Sequence, residues 1–182
     1  AQHIDILYVI GGDGSMKAAH ALWTVADDAW RNGMINRRLS VVGIPKTMDN
    51  DILWVWQSFG FMSAVEKARE IVEHLGTEVE SNPRLCIVQL FGSDSGFVVS
   101  HAVLASRCEC DAALIPEIEF SMKSLADHLR KNMQKRARGC GKKIPQGLVV
   151  MAETAIPTDA INYIDENSVD YIDVGLNEDE KK

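Results

Sequence analysis

Positive charge is in short supply in this sequence: Lys and Arg number 19 against 26 Asp and Glu, for a formal net charge of -7. A nucleic-acid backbone demands a broad basic surface, so nucleic-acid binding is not expected. Small phosphorylated ligands, which need only a local cluster of cations, stay open. No apolar run approaches the length that spans a bilayer, and the N-terminus lacks a basic region followed by an apolar stretch and cleavage site. No membrane association and a cytoplasmic location are the expectations. Cys86, Cys108, Cys110 and Cys140 show no CxxC spacing, which argues against a zinc site or a disulfide framework and for reduced thiols. Internal repeats and low-complexity linkers are absent too. The chain starts at Ala1 without an initiator Met and enters a strand-like run almost at once, as an excised piece would.

What is present describes a globular chain: 182 residues, 46% hydrophobic and 25% charged, enough for one domain or two small lobes. Ile4 to Ile10 reads as a strand that stops at Gly11-Gly12-Asp13-Gly14-Ser15, and a helix pattern follows to about Trp30. Strand, glycine-rich turn and helix in that order form a phosphate-binding candidate, with backbone N–H groups at the helix start aimed at the ligand. It is neither a P-loop, which needs Gly-Lys-Ser or Gly-Lys-Thr, nor a GxGxxG fingerprint. A ligand-free tight turn is the structural alternative. Asp13 would repel phosphate unless a cation lay between them, and Mg2+ suits one or two carboxylates plus phosphate oxygens.

The next strand, Leu39 to Ile44, runs into Pro45-Lys46-Thr47-Met48-Asp49-Asn50-Asp51. Ligands of open α/β sheets collect at such strand ends. Two carboxylates one residue apart, with Lys46, Thr47 and Asn50 around them, supply a base, a metal carboxylate, a cation and two neutral hydrogen-bonding groups, the needs of phosphoryl transfer. An ordinary polar loop is the alternative, since Asn and Asp favour turns.

A helix is expected from Ser58–Met62 to about Leu75, with Gly76 as its C-cap. A strand over Leu85 to Phe91 leads to Gly92-Ser93-Asp94-Ser95-Gly96, which either contacts a second phosphate or sugar or merely caps the helix of Phe97 to Ser106. Strands over Asp111–Ile115 and Gln146–Ala152 flank a helix marked by Leu125, Leu129 and Met133. Its end carries Arg130, Lys131, Lys135, Arg136 and Arg138, followed by Lys142 and Lys143, read as a solvated helix end with an anionic effector site as the sharper alternative. Glu153 stands at a strand end. A short helix over Thr158–Glu166, a strand over Val169–Val174 and a charged tail complete the pattern. Alternating strands and helices predict an α/β fold, a mostly parallel sheet with helices on both faces. The lobe boundary is placed between Asp51 and Phe59.

These residues, in this order, resemble the 6-phosphofructokinase family: Gly11 to Ser15, Pro45 to Asp51, Phe59-Gly60-Phe61, Pro116-Glu117 and Glu153, over about Ile4 to Pro157. The resemblance implies a phosphofructokinase-like three-layer fold, with residues 1–57 part of the phosphate-donor lobe and 58–182 the sugar-phosphate lobe. It implies transfer of the ATP γ-phosphoryl group to the 1-hydroxyl of fructose 6-phosphate. Asp49 falls on the general base, with Lys46 and Thr47 beside the transferred group. Asp13 falls on the Mg2+ position and Asp51 on a neighbouring acidic one. Gly11, Gly12, Gly14 and Ser15 fall on the donor loop, and Glu153 on a sugar contact. Arg84 aligns with an arginine that reaches the sugar phosphate of a neighbouring subunit, which implies a homo-oligomer. Glycine at Gly14 goes with ATP, whereas Lys46 resembles the lysine of diphosphate-dependent members; ATP is the favoured donor and diphosphate the alternative. Phe91-Gly92-Ser93 stands where many members have Met-Gly-Arg, so a cation expected at the substrate is missing. The family's early nucleotide loop would precede Ala1, and further sugar-phosphate cations would follow Lys182. A non-catalytic binding or regulatory domain of the same fold is the rival from another class.

Overall fold

A computed structural model describes residues 4–107, 110–139 and 146–163. Two parallel units follow one another along the chain. In the first, β1 (Ile6–Gly11) and β2 (Ser40–Pro45) are joined by α1 (Asp13–Arg31) and pair in parallel from Ile6 opposite Ser40 to Gly11 opposite Pro45. In the second, β3 (Leu85–Leu90), β4 (Ala112–Leu114) and β5 (Gly147–Ala152) form a parallel sheet in the order β3-β5-β4. α2 (Phe61–Ser81) precedes this sheet, while α3 (Phe97–Ala105) and α4 (Met122–Gly139) connect its strands. A single 3-10 turn, Ala160–Tyr163, lies near the end of the described chain. The α/β class with parallel sheets and packed helices is as expected from the alternating pattern.

The central strand explains the second unit. β5 reads Leu148-Val149-Val150-Met151-Ala152, apolar throughout as a parallel strand covered on both faces must be, and its first four residues are buried. Leu148, Val150 and Ala152 pack with Val72 of α2, Val99 of α3 and Ala155. Each fully buried valine or leucine contributes about 2 kcal/mol. A second cluster joins Phe61, Val65 and Ala68 of α2 to Val98 and Ala102 of α3. In the first unit, Gly43 lets α1 lie close on β2: a Cβ there would stand 2.8 Å from Met16 Sδ.

Two expectations need correction. Gly76 does not end its helix, because α2 continues to Ser81 with Asn82 as its C-cap. The apolar face runs on to Val79, which is buried, and that burial outweighs the roughly 1 kcal/mol a mid-helix glycine costs. The helix expected from Thr158 is reduced to the short 3-10 turn as far as residue 163, with Glu166 outside the described residues. The strand over Val169–Val174 and the charged tail also lie outside them.

The basic end of α4 includes a structural clamp. Arg136 pairs with the buried Asp111 carboxylate at 2.9 and 3.1 Å and donates to Gln146 O at 3.1 Å, while Asp111 also accepts Leu148 N–H at 2.9 Å. Arg130 is paired with Asp127. Removing one partner of a buried pair strands the other. Arg136→Ala is expected to cost about 3 kcal/mol in urea unfolding; a loss indistinguishable from that of Lys135→Ala would contradict the clamp.

Candidate functional site

The two strands of the first unit end side by side. Gly11 lies opposite Pro45, and one residue further Lys46 N–H donates to Gly11 O at 2.7 Å. The Gly11–Ser15 turn and the Lys46–Asp51 segment therefore leave the sheet as neighbours. Gly11 is buried, and a Cβ there would collide with the Ser15 side chain. A Cβ on Gly12 would meet Thr47 Cβ at 3.5 Å, whereas one on Gly14 would have nothing within 4 Å. α1 begins with Gly12 as its N-cap and no side-chain cap, so its first N–H groups are free of the side-chain acceptor that usually takes them.

Past Thr47 the chain folds into a clasped loop. Asp49 N–H donates to Thr47 Oγ1 at 3.1 Å. Asn50 adopts the left-handed conformation, φ 56°, which Asn tolerates better than other side chains. Its Oδ1 accepts Ser58 N–H at 2.8 Å and its Nδ2 donates to Trp56 O at 3.2 Å. The buried Ser58 hydroxyl donates to Thr47 O at 2.6 Å. A second buried hydroxyl, Ser95 from the turn after β3, donates to Asp49 O at 2.8 Å. That bond ties the loop to the second unit.

Electrostatics single out Asp49. Partial burial pushes its carboxyl above the ordinary aspartate range, and the charges of Asp51 and Glu153 push it further, while the hydrogen bond with Thr47 acts in the opposite direction. Asp13 pairs with Lys17 one helical turn on, at 2.6 Å. This hydrogen bond and the Asp13 charge hold Lys17 above the usual lysine range, with Asp51 adding to the effect. The charges of Asp13 and Asp51 thus both act on the Lys17 ammonium group. Among the described residues, no group of three His, Cys, Asp or Glu is close enough to hold a metal ion.

Sequence-predicted residues on the second unit divide into near and far. Glu153 follows β5 and its charge reaches Asp49. Gly92 has φ 155° and is buried; Phe91 and Ser93 beside it are exposed. Thr154 braces this turn, accepting Asp94 N–H at 3.0 Å and donating to Gly92 O at 3.3 Å. Ahead of α3, Glu117 accepts the N–H of the N-cap residue Gly96 at 2.8 Å, and the helix itself carries no side-chain cap. Arg84 precedes β3, a strand's length of about 20 Å from Gly92, and pairs with Glu78. It is not brought to this chain's own cluster. Lys17, Ser58 and Thr154 were not anticipated as parts of the site, and Ser95 and Glu117 were noted only within longer motifs. Only Lys17 carried a sequence signal, its spacing of four from Asp13 on one helix face.

A family model described as phosphofructokinase matches residues 1–179. The chain belongs to the phosphofructokinase family. An ATP-dependent 6-phosphofructokinase of Amycolatopsis methanolica is 36% identical over 156 residues, 84% of this chain and 31% of the relative. One from Corynebacterium efficiens is 35% identical over 167 residues, 92% of this chain and 42% of the relative. The chain therefore spans about a third to two fifths of the length of these relatives. Among solved structures, phosphofructokinase from Saccharomyces cerevisiae superposes with a TM-score of 0.66 at 27% identity, covering 85% of this chain and 21% of that one. A pyrophosphate-dependent phosphofructokinase from Marinobacter aquaeolei gives the same TM-score at 23% identity, covering 85% of this chain and 38% of that one, and supports the fold alone. No helix among the described residues is long and apolar enough to cross a membrane.

The raised Asp49 pKa has a consequence for stability. The folded chain holds that proton more tightly than the unfolded chain, so the stability involved is present in acid and lost as pH rises through the folded pKa. Asp49→Asn is expected to raise Tm at neutral pH, with the gap closing as pH falls toward the ordinary value of 3.8. A gap that does not change with pH would contradict this assignment.

Proposed function

We propose that this chain carries the phosphate-donor turn and much of the sugar side of a 6-phosphofructokinase, transferring the ATP γ-phosphoryl group to the 1-hydroxyl of fructose 6-phosphate. The observation that carries the reading is the junction of Gly11–Ser15 with Lys46–Asp51 at the paired ends of β1 and β2. The residues 1–57 belong to the donor lobe and 58–182 to the sugar-phosphate lobe, acting in the cytoplasm.

In this reading Gly11, Gly12, Gly14 and Ser15 receive the donor phosphates, whose negative charge suits the uncapped α1 start. Asp13 and Asp51 are the residues that would hold Mg2+, which when bound neutralises charge on the phosphate oxygens. Asp49 accepts the 1-hydroxyl proton as the sugar oxygen bonds to phosphorus and the bond to ADP breaks. Desolvation and like charge make it a stronger acceptor than a solvated aspartate, provided it is ionised. Thr47 and Lys46 flank the transferred group, and Glu153 and the Phe91–Ser93 turn meet the sugar. Exposed Ser93 brings no positive charge, so the 6-phosphate needs cations from elsewhere. Arg84 of a second copy in a homo-oligomer meets that need.

The empty space at Gly14 supports ATP, because nothing among the described residues stands within 4 Å of where a side chain would project. Lys46 is the feature that favours diphosphate. The test is Mg2+-dependent formation of fructose 1,6-bisphosphate with each donor supplied separately. Product from ATP is expected, with kcat lowered about 100- to 10,000-fold in Asp49→Asn. Gly14→Asp is expected to leave Tm unchanged while reducing ATP use relative to diphosphate. Failure to form product with either donor would favour the rival reading, a non-catalytic binding or regulatory domain of the same fold.

A further inference from the structure

Ser95 meets no reacting group in the proposed chemistry, yet its surroundings hold it firmly. It is 3% exposed. Asp94 before it sits at φ 54°, a left-handed conformation that Asp tolerates better than most residues. A Cβ on Gly92 would collide with Ser95 O, and one on Gly96 with the Ile115 side chain just past β4, so the turn lies flush against its neighbours. Three hydrogen bonds brace it. Thr154, the residue after Glu153, accepts Asp94 N–H at 3.0 Å and donates to Gly92 O at 3.3 Å, while Glu117 accepts Gly96 N–H at 2.8 Å.

From this braced turn the Ser95 hydroxyl reaches Asp49 O at 2.8 Å. Among the described residues, the hydrogen bonds of Thr47, Asn50 and Ser58 close within residues 47–61. Those bonds shape the loop without fixing it against the sugar side. The Ser95 bond does fix it there. The Asp49 carbonyl and carboxyl hang from one Cα, so anchoring the carbonyl leaves the carboxylate only its staggered side-chain torsions. Phosphoryl transfer is mainly a matter of positioning, and a misplacement of about 1 Å costs about 100-fold in rate.

We infer that Ser95 is a positioning residue for the transfer: its buried hydroxyl, on a turn braced by Thr154 and Glu117, holds the Asp49 backbone in register with the sugar side, so that the base meets the acceptor hydroxyl. The inference rests on the proposed reaction and adds to it the group that aligns base with acceptor. Because Thr154 directly follows Glu153, the base and this sugar contact share one support. The Ser95 hydroxyl bonds the backbone of Asp49 and leaves its carboxylate to the acceptor. Its loss therefore acts on the transition state through Asp49 and spares the binding of the sugar.

Amide hydrogen exchange of the ligand-free chain and steady-state kinetics, both on Ser95→Ala, test it together. Exchange is expected to quicken about 10-fold across residues 46–58, as the loss of one buried hydrogen bond allows, and to stay unchanged in β5. In the kinetics, kcat should fall about 10- to 100-fold while KM for fructose 6-phosphate stays within about 2-fold. Thr154→Val, which removes the brace, should act in the same direction, and Thr154→Ser, which keeps the hydroxyl, should behave as the parent chain. Val79→Ala opens a cavity in buried α2 packing away from this turn and should lower Tm with kcat unchanged. A kcat for Ser95→Ala within about 2-fold of the parent, or a loss that Val79→Ala shares at equal Tm, would overturn the inference. Loop exchange indifferent to Ser95→Ala would overturn it as well. Absence of product from the parent chain would count against the proposed reaction, and the exchange measurement, which needs no substrate, still supports or overturns the hold of Ser95 on Asp49.

Discussion

The parallel pairing of β1 with β2 is the constraint on which the candidate site depends. It ends both strands at one level, Gly11 opposite Pro45, and the Lys46 N–H to Gly11 O bond carries the pairing one residue beyond the sheet. Parallel strands bring the C-terminal ends of non-adjacent segments together, which is why ligand sites of α/β folds gather there. A turn suited to phosphate and a loop bearing a base thereby become neighbours although more than thirty residues separate them. Shifting the register by one residue would turn the side chains of β2 to its other face and carry Thr47 away from Gly12.

The loop after Pro45 is held by buried hydroxyls rather than by regular structure. Ser58 and Asn50 close it on itself, and Ser95 fastens Asp49 to the second unit. These bonds oppose the entropy of a polar loop and keep Asp49 near two other carboxylates. The crowding works against stability and in favour of basicity, a compromise common where a site must hold like charges together. Lys17 relieves part of the charge through Asp13.

Much of this was legible in the sequence. Short β-branched runs ending in glycine, proline or small polar residues located the strands, and the order of motifs gave the family. The continuation of α2 past Gly76 was hidden because a glycine rule is local, whereas the burial of Val79 depends on tertiary packing. The hydroxyl clasps were hidden for a similar reason: Ser58 and Ser95 are ordinary residues until the fold brings acceptors 11 and 46 positions away in sequence within reach. Arg136 looked like one more cation at a helix end, and only the packing of α4 beside β5 and the segment before β4 shows it bound to Asp111. Glu117 was read as part of a motif, and the fold uses it to hold the Gly96 N–H just ahead of α3. Sequence reading found the groups able to do chemistry and missed the groups that position them.

In the proposed reaction the glycine turn and the Asp49 loop form one Mg2+-dependent donor site. Calorimetric titration of a non-hydrolysable ATP analogue into the chain, with and without Mg2+, tests it most directly when repeated on Asp13→Asn and Asp51→Asn. Mg2+-dependent binding that both substitutions weaken is expected, one acting from each side of the junction. Binding that ignores Mg2+, or that responds to Asp13 and is indifferent to Asp51, would mean that the two turns are neighbours without being one site.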